Sequence, residues 1–416
     1  MEDIIVIGGG LMGSAAGWQL SKYGQNVLLI EQQTPNYKTG SSYGISRISR
    51  SLGPKDDIFS YIQKTSIAET EQLISFLNSA NNNETHRMED IYKTTPVSYM
   101  FNQEGVAELN ALCHSTQKDA YKVASSNSAN TVFDMTLPEA NTVLREYVDY
   151  SGMINPKELI AKLQKGIKQH DNKILFGHKI ISISRKETYY ELKTLDHITQ
   201  ESKLFLTKKL VVAAGPYIGE ALIEIAPKFT ALISPKRVSS VFFKIKAPVY
   251  KSLTQKEKEQ INLSLPTFFQ YDDMFYAMID RIDEDGSPII KTGGHAVYHS
   301  IENMDESWKI LPSNKFISWN KEEICQYLKM LNIPIKITDI EYVHGQSCVY
   351  SLTKSKIPIV TSVKGETDNS FIVMGGMNGI GAKGSLCYGL IAANILLDKK
   401  DDSPMYIKTK EALSIN

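Results

Sequence analysis

Near the amino terminus three glycines stand at the spacing Gly8-x-Gly10-x-x-Gly13, between a β-branched run at residues 4–7 and a small-residue segment that opens at Ser14. A second apolar run, residues 27–30, ends in Glu31. Strand, glycine turn, helix, strand and acid in this order form a dinucleotide-binding pattern, and each piece has a mechanical reason. Gly8 permits a tight turn, Gly10 lets a pyrophosphate approach the backbone, and Gly13 allows the helix to pack closely on the strand. The helix N-terminus, at Leu11 and Met12, turns its partial positive charge toward the phosphates. Glu31 can accept hydrogen bonds from a ribose hydroxyl. An acid rather than an arginine at that position argues against a 2′-phosphate, hence against NADP. The fingerprint alone does not choose between NAD and FAD.

Three further segments have nucleotide-site character. Residues 39–50 are small and polar, including Ser41 and Ser42, with two arginines, Arg47 and Arg50, three positions apart. A nicotinamide domain usually proceeds here to another short helix and strand. A Gly/Ser loop instead suits backbone wrapped around a large flat cofactor, which favours FAD. Residues 209–216 read as a strand ending in the small residues Ala214 and Gly215, where a cofactor can come close. Residues 371–385 read as a strand, a glycine-rich turn (Gly376, Asn378, Gly379, Gly381) and the start of a helix that runs to about Leu397. That helix N-terminus adds positive potential in front of it.

These pieces belong to a chain of 416 residues, which at about 150 residues per domain suggests two to three domains. Hydrophobic residues make up 42% and charged residues 22%, an ordinary globular composition. Basic and acidic residues balance at 46 each, which argues against nucleic-acid or membrane-surface partners. The four cysteines (Cys113, Cys325, Cys348, Cys387) form no CxxC or Cys/His array, so neither a disulfide framework nor a metal site is expected. The N-terminus lacks the basic start and longer apolar run of a signal peptide. The mostly apolar stretch 386–397 falls short of the ~20 residues of a membrane span. A cytoplasmic protein is expected.

Five motifs in one order resemble those of the monomeric sarcosine oxidase and N-methyltryptophan oxidase group of amine-oxidising flavoenzymes, within the D-amino-acid-oxidase-like superfamily. They are the fingerprint, Gly-Ser-x-x-Gly-x-x-Arg-x-x-Arg from Gly40, Lys-x-Gly-x-His from Lys291, Cys-x-Tyr from Cys348, and Gly-x-x-Gly-x-Gly-x-Lys from Gly376. The resemblance implies an α/β chain. Its Rossmann-like FAD-binding domain would comprise residues 1–85, 150–225 and 335–416. An interleaved, strand-rich (α+β) substrate domain would comprise residues 86–149 and 226–334. The implied reaction oxidises a secondary or primary amine bearing a carboxylate to the imine and reduces O2 to hydrogen peroxide. The implied molecule is a monomer that meets only small molecules.

The resemblance also changes how single residues read. Taken alone, Cys348 is a small hydrophobe in a strand; the resemblance makes it the point where FAD is attached through a thioether. Lys291 alone is a solvated lysine. By resemblance it approaches the flavin through a water, where a fixed cation stabilises negative charge developing on oxygen. His295 reads equally as a core histidine or a pocket residue, while Tyr276 and Tyr350 match pocket tyrosines. Arg50 and Lys383 alone are two surface cations. By resemblance they hold the substrate carboxylate, one as a bidentate fork and one as a point charge, with Lys383 also near the cofactor. Arg47 would lie against the flavin ring, and Ile180 would line the cofactor site. Ile380 and Ala382 stand where relatives carry His and an aromatic residue, and Lys354-Ser355-Lys356 follows Thr353 where relatives read Thr-Pro-Asp. The less polar pocket and more basic loop argue against sarcosine itself. Rival readings are a flavin dehydrogenase with a non-oxygen acceptor, an NAD-dependent oxidoreductase, and a catalytically inactive flavoprotein serving as an interaction module.

Overall fold

Residues 4–7 alternate between two hydrophobic clusters: Ile4 and Val6 pack into one, Ile5 and Ile7 into the other. A strand buried on both faces needs a parallel sheet with cover on both sides. In the computed structural model, which describes all residues except 36, 53–55, 81–83, 116–119, 364–368 and 416, β1 (Glu2–Ile7) pairs in parallel with β2 (Val27–Glu31) and with the strand Ser202–Val212. Outside β2 lies Lys173–Phe176. On the other side Phe371–Gly375 pairs in parallel with Ser202–Val212 and antiparallel with Ile359–Ser362. The first half of Ser202–Val212 also pairs antiparallel with Tyr190–Asp196, which in turn pairs antiparallel with His178–Arg185.

One face of this sheet is covered by helices. α1 (Leu11–Lys22) packs against the helix Ser385–Leu396, with Trp18, Leu163 and Ile391 in the shared core. The contact is close enough that a Cβ on Gly389 would stand 2.6 Å from the backbone carbon of Ala15. The opposite face is covered by Leu192, Ile218 and Phe229 among others.

A second sheet of eight strands runs Ile340–Leu352, Ser234–Ile245, Pro288–Gly294, Phe275–Ile282, Thr267–Phe269, Val97–Phe101, Thr142–Glu146 and Tyr121–Ser125. It is antiparallel except between Thr267–Phe269 and Val97–Phe101. The helix Asn314–Met330 buries Phe316, Ile324 and Leu328 in its core. A small three-stranded sheet of Arg47–Ser49, Gly152–Ile154 and Tyr92–Thr94 holds the loop that carries the two arginines. The strand that follows residue 335, expected with the FAD-binding domain, joins the second sheet. Ile340–Leu352 is paired along its length with Ser234–Ile245, from Ile340↔Ile245 to Leu352↔Ser234, so Cys348 and Tyr350 come from the second sheet. Alternating burial does not tell a strand which sheet it will join. Among the described residues no helix is long and apolar enough to cross a membrane.

The α1 contact fixes where the helix N-terminus points. Gly389→Ala should therefore destabilise the fold by about 1–3 kcal/mol, the usual effect of overpacking, read as a lower urea midpoint. An unchanged midpoint would show that the two helices can part without cost.

Candidate functional site

The parallel strands end on a cavity of about 660 Å³. Its wall is built from the turn after β1 (Gly8, Gly10, Leu11, Met12), Glu31 at the end of β2, and the loop residues Ser41, Ser42 and Arg47. Ile180, Ala214, Gly215, Gly379 and Gly381 complete it. A crevice at the carboxyl ends of parallel strands is where open α/β sheets bind ligands. Gly8 adopts φ +99° and leaves no room for a side chain, since a Cβ would lie 2.4 Å from the Ala213 carbonyl oxygen. Gly13 is not on the wall; a Cβ there would collide with the Gly8 carbonyl oxygen, so it sets how near α1 approaches. Gly10 stands at the N-cap of α1 and brings no side chain, while the Leu11 amide donates to Ser42 Oγ at 3.2 Å.

Glu31 turns its carboxylate onto the glycine loop, accepting from the amides of Gly9 (2.5 Å) and Gln33 (2.7 Å). Burial raises its pKa, and these amide donors pull it back. Beside it, burial and then the Glu31 charge push the Tyr37 phenol up to about 12. Gly376 and Asn378, expected at the cofactor, do not line the cavity. Asn378 ties the glycine turn to its neighbour loop, accepting from the Thr353 amide at 2.8 Å and donating to the Gly376 carbonyl at 2.5 Å.

A smaller chamber of about 70 Å³ shares Arg47, Tyr350, Gly379 and Ala382 with the large cavity. Arg50, Tyr276, Lys291, His295, Cys348 and Lys383 all face it, brought together from the arginine loop, the second sheet and the glycine turn. Lys291 is only 4% exposed and Lys383 3%. The Lys291 ammonium donates to the Ser46 carbonyl at 3.2 Å and lies 5.9 Å from the Phe242 ring centre. Burial, helped by Arg47, pushes it down to about 7. Burial and then Arg50 push His295 down to about 4, so near neutral pH it is an uncharged imidazole. Burial raises the Cys348 thiol, with Arg47 and Lys291 opposing. The phenols of Tyr276 and Tyr350 are raised by burial, and Tyr276 bonds Ser240 Oγ at 3.0 Å.

The Arg50 guanidinium lies 4.8 Å from the Phe268 ring centre and 5.5 Å from that of Tyr99. Lys383 donates to the Leu52 carbonyl at 3.3 Å. Arg47 curls into its own loop, donating to the carbonyls of Ser46, Tyr43 and Ser41. The chamber thus has four basic side chains on its wall and no carboxylate among its described lining residues. Cys325 and Cys387 lie buried elsewhere, and the side chain of Cys113 lies outside the described residues. No group of three or more acidic, His or Cys residues suited to a metal occurs among the described residues.

Sequence reading missed Met278 and Gln346 on the chamber wall and Phe268 beside Arg50. Strand periodicity could have found two of them. Met278 is two positions from Tyr276, and Gln346 two from Cys348, so each pair shares a sheet face. The glycine turn, the helix N-terminus, the half-buried acceptor Glu31 and the cavity size together fit a dinucleotide such as FAD.

A family model described as FAD dependent oxidoreductase matches residues 3–395. The chain is 24% identical over 399 residues to a probable sarcosine oxidase of Arabidopsis thaliana, covering 95% of this chain and 88% of the relative. It is 21% identical over 402 residues to an N-methyl-L-tryptophan oxidase of Yersinia pestis, covering 95% of each. The structure of an L-proline dehydrogenase from P. horikoshii superposes with a TM-score of 0.72 at 15% identity, over 97% of this chain and 95% of that one.

The Lys291 shift has a consequence for stability. The folded chain releases this proton near pH 7 and the unfolded chain near the ordinary 10.5, so wild-type stability rises with pH through that window. Below pH 7 the buried ammonium counts against the fold in full. Lys291→Met should therefore be most stabilising relative to wild type below pH 7. The advantage should shrink toward pH 10 with a slope of at most ~1.4 kcal/mol per pH unit. A difference in unfolding free energy that is flat from pH 6 to 10 would show that Lys291 does not titrate in this way.

Proposed function

The chain belongs to the family of FAD-dependent oxidoreductases, and from that premise we propose that it oxidises a small amine bearing a carboxylate, an N-methyl, cyclic or modified amino acid, to the imine. O2 is the electron acceptor and hydrogen peroxide the product. The observation that carries this reading is the pair of buried cations, Arg50 and Lys383, facing a chamber that adjoins the nucleotide cavity and has no acidic side chain on its described wall. A guanidinium fork and an ammonium on one wall are suited to bind a carboxylate together.

FAD held by the glycine turn, Glu31 and the Ser41–Ser42 loop would supply a two-electron acceptor for the amine carbon. This chain's residues do the rest. Arg50 and Lys383 take the carboxylate and so fix which carbon of the substrate points toward Arg47, where the two spaces meet. Orientation of this kind is a large share of the rate gain open to an enzyme. Tyr276, Tyr350 and the uncharged His295 line the space around the amine without adding a competing charge. Ile380, Ala382 and Met278 make part of the wall apolar, which suits a substrate with an apolar flank rather than a bare N-methylglycine. Lys291, in its protonated form, provides a cation held in place that favours transfer of negative charge to oxygen. We further propose that Cys348 Sγ carries the flavin as a thioether, since its half-buried thiol lines the chamber with Arg47 and Lys291, whose charges oppose the rise that burial imposes on it.

Purified, flavin-loaded protein should lose its oxidised flavin absorbance anaerobically with at least one amine in a panel of N-methyl, cyclic and modified amino acids, then regain it in air with peroxide formed. Arg50→Gln should raise the apparent KM of that amine ~100-fold, as expected for losing a pair of charge-assisted hydrogen bonds. Bleaching by amines without a carboxylate, or an unchanged KM, would sink the carboxylate reading. Bleaching without oxygen uptake would make the chain a dehydrogenase. Acid precipitation should give a yellow pellet; a colourless pellet under a yellow supernatant would exclude the thioether.

A further inference from the structure

We propose that Glu146 is a positioning residue for this site: a buried anion behind the chamber that holds both of its carboxylate-binding cations in place. The inference rests on the reading above, that Arg50 and Lys383 take a carboxylate. Glu146 closes the strand Thr142–Glu146 and is fully buried. Its Oε1 accepts from the Ser51 amide (2.8 Å), Ser51 Oγ (3.0 Å) and Ser151 Oγ (2.5 Å). Its Oε2 accepts from Tyr99 Oη (2.7 Å) and, at 3.5 Å, from the Leu52 amide.

Every one of these donors is neutral, and three of the five belong to the two residues that follow Arg50. A fourth, Tyr99, presents its ring 5.5 Å from the Arg50 guanidinium, so one carboxylate fixes both the backbone after Arg50 and the aromatic wall beside it. The carbonyl of Leu52, whose amide Glu146 holds, accepts from Lys383 at 3.3 Å. The other flank of Arg50 is tied in as well, because Gln63 donates to both Ser49 Oγ and Ser151 Oγ.

A buried carboxylate whose described donors are all neutral is costly, and a neutral residue would avoid that cost. An ionised carboxylate, however, is acceptor-only with about four lone-pair sites, and so can gather this many donors. A glutamine has one acceptor oxygen and two N–H groups that would face donors. Glu146 also sets a negative charge behind two buried cations without entering the chamber, where it would compete with the substrate.

The test uses flavin-loaded wild type, Glu146→Gln and Tyr99→Phe. Acetate, propionate and glycolate are titrated against the flavin absorbance, and the best amine is followed in both steady-state and anaerobic stopped-flow assays. Glu146→Gln should weaken carboxylate binding and raise KM by about 10- to 100-fold, the scale of one or two lost hydrogen bonds to a charged group. Its limiting rate of flavin reduction should fall far less. Tyr99→Phe, which keeps the ring, should move carboxylate binding in the same direction by a smaller factor. Wild-type carboxylate affinity in a folded, flavin-loaded Glu146→Gln protein would overturn the inference, and so would a parallel fall in affinity and limiting rate. Should Glu146→Gln not fold, unchanged carboxylate affinity in Tyr99→Phe overturns it. If wild type itself binds no carboxylate, the clamp reading fails first and the inference fails with it.

Discussion

Four basic side chains, Arg47, Arg50, Lys291 and Lys383, are gathered around a chamber of about 70 Å³, and much of the surrounding structure exists to make that gathering tolerable. Like charges at such separations repel strongly where water is scarce. Three devices oppose the repulsion. Backbone carbonyls of the arginine loop accept from the cations: Ser46 from both Arg47 and Lys291, Leu52 from Lys383. Aromatic faces take the rest of their surface, with Phe268 by Arg50, Phe59 by Lys383 and Phe242 by Lys291. Anions stand one layer back. Glu146 braces the Arg50 side, and Asp280 accepts from Ser46 Oγ at 2.5 Å on the Lys291 side. Neither anion lines the chamber, so the positive potential stays open to an incoming ligand.

This arrangement explains why two sheets of different kinds are needed. Parallel strands end together, and the turns that follow them present backbone amides and glycines, the groups that suit phosphates. They are poor at presenting a wall of side chains. An antiparallel sheet sends every second residue to one face, and Gln346, Cys348 and Tyr350 use that regularity to reach the chamber. So do Tyr276 and Met278 from a second strand of the same sheet. The arginine loop, held by its own small sheet, joins the two halves, because Arg47 lines both cavities, as do Tyr350 from the second sheet and Gly379 and Ala382 from the glycine turn.

The sequence made the nucleotide half legible because its constraints are local. A tight turn at Gly8, the close approach at Gly13 and the acceptor at Glu31 all lie in one strand–helix–strand unit. The substrate half was legible only through motif resemblance. Nothing local marks Lys291, Arg50 or Lys383 as buried, since a lysine in a strand reads as solvated until its neighbours are known. The sheet that Ile340–Leu352 joins was hidden for the same reason, as its partner Ser234–Ile245 lies about a hundred positions away. Glu146 escaped notice altogether, because its donors among the described residues come from positions 51, 52, 99 and 151 and no spacing rule connects them. In the glycine-rich turn, where cofactor contact was expected of Gly376 and Asn378, the Asn side chain holds the turn to its neighbour loop.

With His295 held uncharged by burial, Lys291 is the group on the chamber wall whose charge changes near neutral pH. That position gives the site a means of matching its charge to its contents. An ammonium pushed down to about 7 by desolvation regains its proton when an anion comes close, since the opposite charge offsets the desolvation that lowered it. A fully charged lysine would repel Arg47 whether or not an anion is present, and a permanently neutral one would add nothing to the binding of an anion. Poised between the two, Lys291 can be neutral while the site waits and cationic when charge arrives. Its proton would then be carried by the same residue that needs it, with the Ser46 carbonyl holding the nitrogen in place in either state.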